Sequence, residues 1–137
     1  MKAILIILLL GLTCFPSDLF SQVYKNRATE VAYKYNDSHG RWSKWSDWTN
    51  CDILVVTDLD KETFTIYSKE AQEFDIVNYY EKEYDAEGVE VFRMFCVDKE
   101  GIRCNIRERF VDDGVYFAQL YVDYADFMYV YNLAKNR

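Results

Sequence analysis

The sequence predicts an all-β fold: an antiparallel up-and-down meander of eight or nine strands, closed as a small barrel or flattened into a two-sheet sandwich. Three observations carry that expectation. Residues 89–124, VEVFRMFCVDKEGIRCNIRERFVDDGVYFAQLYVDY, read as three strands joined by two tight acidic turns. Further short apolar or alternating runs recur on both sides of this stretch, with turn clusters between them and no strong helix. The chain also has twelve tyrosines, which suit such a fold because the rings can be buried while the hydroxyls stay at the rim.

The first acidic turn is Asp98-Lys99-Glu100-Gly101. A three-residue loop of Lys99, Glu100 and Gly101 ends on the one residue that enters the left-handed region without steric cost. Asp98 then faces Ile102, Cys96 faces Cys104 and Met94 faces Ile106, so one face is apolar. Opposed side chains lie within reach of a disulfide if their pair is non-hydrogen-bonded, and Cys96–Cys104 is the expected bridge.

The second turn, Asp112-Asp113-Gly114, repeats the device. With Val111 facing Val115, Ile106 meets Leu120 and Cys104 meets Val122, so both hairpins choose the same inner face. The opposite face of the middle strand carries Arg103, Asn105, Arg107 and Arg109. In this register Arg103 faces Asp123, Asn105 faces Tyr121 and Arg107 faces Gln119. The row reads as a solvated face with cross-strand pairs, or as a basic patch for an anion or a partner. Nucleic acid is not expected, because the rest of the chain is acidic.

Residues 1–21 read as a secretory signal peptide, one basic residue followed by an apolar run, with cleavage before Gln22. A lipoprotein modified on Cys14 is the second reading. A retained anchor is the third, the run being short for a membrane span. Residues 22–137 then form a single β domain. Removing the leader takes away Lys2 and Asp18 and leaves the net charge of the chain, −7, unchanged. A chain so charged is repelled by anionic membrane surfaces and attracts a basic protein. Export permits a disulfide and leaves Cys51 as the odd cysteine, a small buried apolar residue. Zinc is not expected from Cys51, Cys96 and Cys104, on spacing and for want of a nearby histidine.

In chain order, a strand is expected over Thr29–Tyr35, then a turn over residues 36–40 that holds His39, the single histidine. Residues 51–59, CDILVVTDL, are apolar on both faces like a central strand. TFTIYS, residues 63–68, alternates with Phe64 and Ile66 inward. FDIVNYY, residues 74–80, runs into an acidic hairpin end at Glu81–Gly88, and FMYVYNL, residues 127–133, closes the domain. Asp58, Asp60 and Glu62 are read as a solvated turn, since the glycine and distal glutamate of a calcium loop are missing.

Three tryptophans, Trp42, Trp45 and Trp48, stand at a spacing of three in RWSKWSDW. Trp42–Ser46 resembles the WSxWS box of class I cytokine receptors, and the three rings resemble the WxxWxxW strand of thrombospondin type 1 repeats. The box opens this domain rather than ending a module, and the thrombospondin cysteine framework is missing. What the resemblance implies is therefore limited to stacking of tryptophans with arginines of a neighbouring strand, here Arg103, Arg107 and Arg109. Strict strand geometry would turn Trp42 and Trp48 one way and Trp45 the other, against a single sugar-binding platform. Over the whole domain, WSKWSDW, DILVVTDLDKETFTIYSKE, FCVDKEGIRCNIR, QLYVDYAD and VYN resemble a group of short exported β-rich proteins of Bacteroidota-type bacteria. The resemblance implies export and the Cys96/Cys104 pair, and brings no catalytic residues.

No enzyme signature or cofactor motif is legible: there is no nucleophile elbow, phosphate loop or metal-ligand cluster, and the acidic clusters fall where turns need them. The expected function is an exported, periplasmic or extracellular, non-enzymatic binding protein that engages a protein partner, in the manner of an inhibitor or immunity protein. Trp42, Trp45, Trp48, Arg103, Arg107, Arg109 and Tyr121 are its candidate contact residues. The alternatives are a lipocalin-like carrier of a small apolar ligand, which needs a hollow interior, and a structural subunit of a surface or virion assembly. A membrane enters only through the leader before its removal.

Overall fold

Residues 22–135 are described by the computed structural model, and every regular element among them is a β-strand. The leader expected at residues 1–21 lies outside the described residues. The strands are β1 (Val23–Tyr35), β2 (Thr49–Asp58), β3 (Thr63–Tyr67), β4 (Ala71–Tyr79), β5 (Glu83–Tyr84), β6 (Glu90–Asp98), β7 (Arg103–Arg109), β8 (Tyr116–Asp123) and β9 (Phe127–Ala134). Neighbours in sequence pair antiparallel except β4 and β5, β1 also pairs with β9, and β4 pairs with β6. The ladder therefore runs through β1, β2, β3, β4, β6, β7, β8 and β9 and returns to β1. It is a closed eight-stranded barrel, which removes the exposed edges that a sandwich would keep. The short β5 stays outside the ring and takes the edge of β6 at Glu90 and Val91, beyond the residues that β4 pairs.

Alternation sets the inner face. Phe64 and Ile66 of β3, Phe74 and Ile76 of β4, and Leu120 and Val122 of β8 are buried in one apolar cluster with Ile106 of β7 and Leu133 of β9. Val55 of β2 joins them, while its neighbours Leu54 and Val56 face outward and are half-buried. A barrel strand thus explains the run that is apolar on both sides without a second covering layer.

Four bulges adjust this alternation. The register slips by one residue at Thr29 against β9, between Asn50 and Ile53 of β2 against β1, at Val77 against β6 and at Phe117 against β9. β1 is accordingly longer than the sequence predicts, because Thr29 marks a bulge inside one strand and not the start of another.

The first acidic hairpin has the expected register. Cys96 pairs with Cys104 and Met94 with Ile106. The Asp98 carboxylate accepts the N–H groups of Glu100 and Ile102, both at 2.9 Å, and Gly101 has φ +82°. The second hairpin differs. Ile106 faces Val122, Arg107 faces Tyr121, Glu108 faces Leu120 and Arg109 faces Gln119, two residues away from the expected register. The cause is the turn itself. Asp113 accepts Val115 and Tyr116 N–H groups, its own N–H meets the Tyr116 carbonyl at 3.0 Å, and Asp112 takes φ +42°. The loop is thereby centred on Gly114 and Val115 instead of Asp112–Gly114. A slip of two preserves the inner face.

Candidate functional site

The core fills the barrel only in part. At the end where β1 begins, β2 turns into β3, β7 turns into β8 and β9 finishes, a cavity of about 690 Å³ opens. Its wall is mostly aromatic and aliphatic. Phe92 and Met94 come from β6, Phe110 follows β7, Phe117 stands at the β8 bulge and Leu59 follows β2. The rings of Phe110 and Phe117 lie 6.5 Å apart. Tyr24 stands at the rim, more than half exposed.

Three polar side chains of the strands interrupt this wall at depth. Asn26 of β1 and Thr57 of β2 are buried. The third is Glu108 of β7. The inner face of β7 runs Cys104, Ile106, Glu108, so the carboxyl takes a core position, between Phe92 on β6 and Leu120 on β8. The surface it keeps is cavity surface. Among the described residues no hydrogen bond or ion pair reaches it, and burial alone pushes it up from 4.5 to about 7. Lys135 also lines the cavity, but its ammonium is bound 2.7 Å from Asp112. A mostly apolar hollow with a few placed polar groups is the usual form of a small-molecule site.

The sequence-derived candidates lie elsewhere, on the outer face. Ser43 and Ser46 each bond twice to β1. Their N–H groups donate to the Tyr35 and Tyr33 carbonyls, both at 2.8 Å, and their hydroxyls accept the Tyr35 and Tyr33 N–H groups at 3.0 and 2.9 Å. Residues 42–46 thus form a strap that advances three residues for every two of β1. That spacing brings Trp42 and Trp45 to the same side, where a strand would have opposed them. Both rings hold Lys34, whose Nζ lies 5.4 Å from Trp42 and 4.7 Å from Trp45. Trp45 meets Tyr121 edge-on at 6.1 Å, and Arg107 lies 4.2 Å over Tyr121. The ladder is therefore Trp42, Lys34, Trp45, Tyr121, Arg107. Lysine occupies the place between tryptophans where arginine was expected. Ala32 and Val130 face outward in the same row of β1, β9 and β8, yet are only 1 % and 3 % exposed.

Arg107 and Arg109 pair with acids. Arg107 is bridged to Asp123 through two hydrogen bonds, the second at 3.1 Å. Arg109 reaches Asp85 at 2.6 Å, Glu87 at 3.0 Å and Gln119 at 3.2 Å. Arg103 stands exposed opposite Val97, and Trp48 is exposed beyond the ladder. These seven residues do not form one patch, and none of them lines the cavity.

Cys96 and Cys104 face each other inside the barrel as free thiols, so the expected disulfide is corrected. The Asp98 N–H bonds the Ile102 carbonyl at 2.9 Å, making Asp98/Ile102 a hydrogen-bonded pair. Pair types alternate along the ladder, so Cys96/Cys104, two steps away, is hydrogen-bonded too and has the wider Cα separation of about 5.5 Å. Burial pushes both thiols up to about 12. Cys51 is half-buried and directs its thiol to the Ala28 carbonyl at 3.6 Å.

Glu108 was not among the candidates read from the sequence. Its signal was present: a single acid on the apolar side of an alternating strand, away from any turn. Comparison of the chain with protein-family models, curated proteins and solved structures finds no match.

Proposed function

We propose that the protein is a non-enzymatic carrier that holds a small, largely apolar ligand in the open end of its barrel. The observation that supports this reading is the cavity of about 690 Å³, walled by Phe92, Phe110, Phe117 and Met94. Its volume falls within the range of roughly 300–1,000 Å³ typical of small-molecule sites. Export, read from residues 1–21, places such a carrier in the periplasm or outside the cell. The alternative of a protein partner rests on the aromatic and basic outer face. There Trp42 and Trp45 already hold Lys34, and Arg107 and Arg109 already hold Asp123 and Asp85.

The test is titration with N-phenyl-1-naphthylamine, an uncharged dye that brightens in apolar surroundings. Saturable binding of about one dye per chain is expected, lost in Thr57→Trp, which puts an indole into the hollow. A dye that does not bind saturably, or binds Thr57→Trp equally well, overturns the carrier reading.

A further inference from the structure

We infer that the cavity takes an apolar amine, whose protonated nitrogen seats against the Glu108 carboxyl while its hydrocarbon part lies among Phe92, Phe110 and Phe117. This rests on the carrier reading and adds the charge and chemical class of the ligand.

The first ground is the isolation of Glu108. Glu108 is half-buried, and a carboxylate largely withdrawn from water without a partner is costly, so proteins ordinarily pair such a group or replace it. Glu108 has neither hydrogen bond nor ion pair among the described residues, although it sits on a wall otherwise suited to hydrocarbon. An ammonium brought in by the ligand supplies the missing partner. The apolar wall covers the remainder of the ligand and keeps water from weakening the pair.

The second ground is the rim. The β2–β3 turn carries Asp58, Asp60 and Glu62, and the β7–β8 loop carries Asp112 and Asp113, at the same end of the barrel. Against them stand Lys61 and Lys135, the latter paired with Asp112. A cation is drawn towards such an entrance and a fatty carboxylate is repelled.

The surroundings of Glu108 simplify its titration. Besides Glu108, the titratable side chains lining the cavity are Tyr24 of β1 and Lys135 after β9; β2, β6 and β8 contribute none to that lining. Burial holds the empty-site carboxyl near 7, and an ammonium beside it brings it down. Amine binding therefore releases a proton below pH 7. Affinity rises with pH by up to about tenfold per unit between roughly pH 5 and 7, and is flat above 7 while the amine stays protonated.

The experiment displaces N-phenyl-1-naphthylamine from the protein with decylamine, decan-1-ol and decanoate, at pH 5 to 8, in wild type and Glu108→Gln. Expected is that decylamine outcompetes decan-1-ol by at least tenfold at pH 7.5 in wild type, and that the preference and its pH dependence disappear in Glu108→Gln. Dye binding by that variant shows that it is folded. Equal competition by amine and alcohol, tighter binding of decanoate, or a preference that survives Glu108→Gln overturns the inference while leaving the carrier reading in place. Failure of the dye to bind wild type overturns both.

Discussion

Cys96 on β6 and Cys104 on β7 stand directly opposite each other inside the barrel, and neither is bonded to the other. Their pair is of the hydrogen-bonded kind, whose side chains stand farther apart than those of a non-hydrogen-bonded pair. Both thiols are also pushed up to about 12 by burial, so neither supplies reactive thiolate at neutral pH. Alkylation of the native protein is therefore expected to spare both residues, and alkylation in denaturant without reductant to label both. A non-reduced peptide map that links Cys96 to Cys104 contradicts this arrangement.

Glu108 gives a pH signature that needs no ligand. Its folded-state carboxyl titrates near 7 against 4.5 for the ordinary group. Below 4.5 both states are protonated and the group costs nothing. Between 4.5 and 7 only the unfolded chain ionises, so stability falls as pH rises, and above 7 the loss is complete at about 3 kcal/mol. Glu108→Gln lacks this titration. The difference in unfolding free energy, variant minus wild type, is expected to rise by about that amount from pH 4 to 8 in urea titrations. A difference that stays constant with pH means that the carboxyl is paired or hydrated.

How far the sequence speaks can be judged from the two acidic hairpins. At Lys99-Glu100-Gly101 the glycine and the alternation agree, and the register Cys96/Cys104 follows from residues alone. At Asp112-Asp113-Gly114 two adjacent aspartates compete for the same role. In the folded chain Asp113 captures the N–H groups of Val115 and Tyr116 and moves the register by two. The inner face survives because the pleat has a period of two, which is why the fold class was legible and the cross-strand partners of Arg107 and Arg109 were not. The cavity was legible only through Glu108. Alternation places that acid inward, but whether the core closes over it depends on ring volumes and barrel closure, which no local pattern encodes.

The tryptophan ladder is expected to matter for stability through Lys34. Its ammonium lies over two rings, and each such contact at a partly exposed site contributes roughly 0.5–1 kcal/mol. Lys34→Met keeps the apolar stem, removes the charge and is expected to lower the unfolding free energy by about 1 kcal/mol. Lys34→Arg should recover most of it. The companion change Ser46→Ala takes away the hydroxyl that accepts the Tyr33 N–H at 2.9 Å, again at a cost of about 1 kcal/mol. If Lys34→Met leaves the denaturant midpoint in place, the ladder is a packed surface with no electrostatic share.

Asp85 ties the outlying β5 hairpin to the barrel. Its carboxylate accepts Arg109 Nε at 2.6 Å and the N–H groups of Glu87 and Val89 at 2.9 and 3.0 Å. The Arg109 guanidinium, then these N–H groups, hold the carboxyl below the usual aspartate range. A depressed folded-state value means that the tie is complete above the unfolded value of 3.8 and is lost as pH falls through the folded one. Acid below about pH 4 should therefore loosen this corner first. At neutral pH Asp85→Asn is expected to do the same, raising amide hydrogen exchange over residues 83–89. Because β5 lies outside the closed ring, the global unfolding midpoint should move little. Equal loss of protection in β7 and β8 would mean that the Asp85–Arg109 pair braces the barrel wall itself.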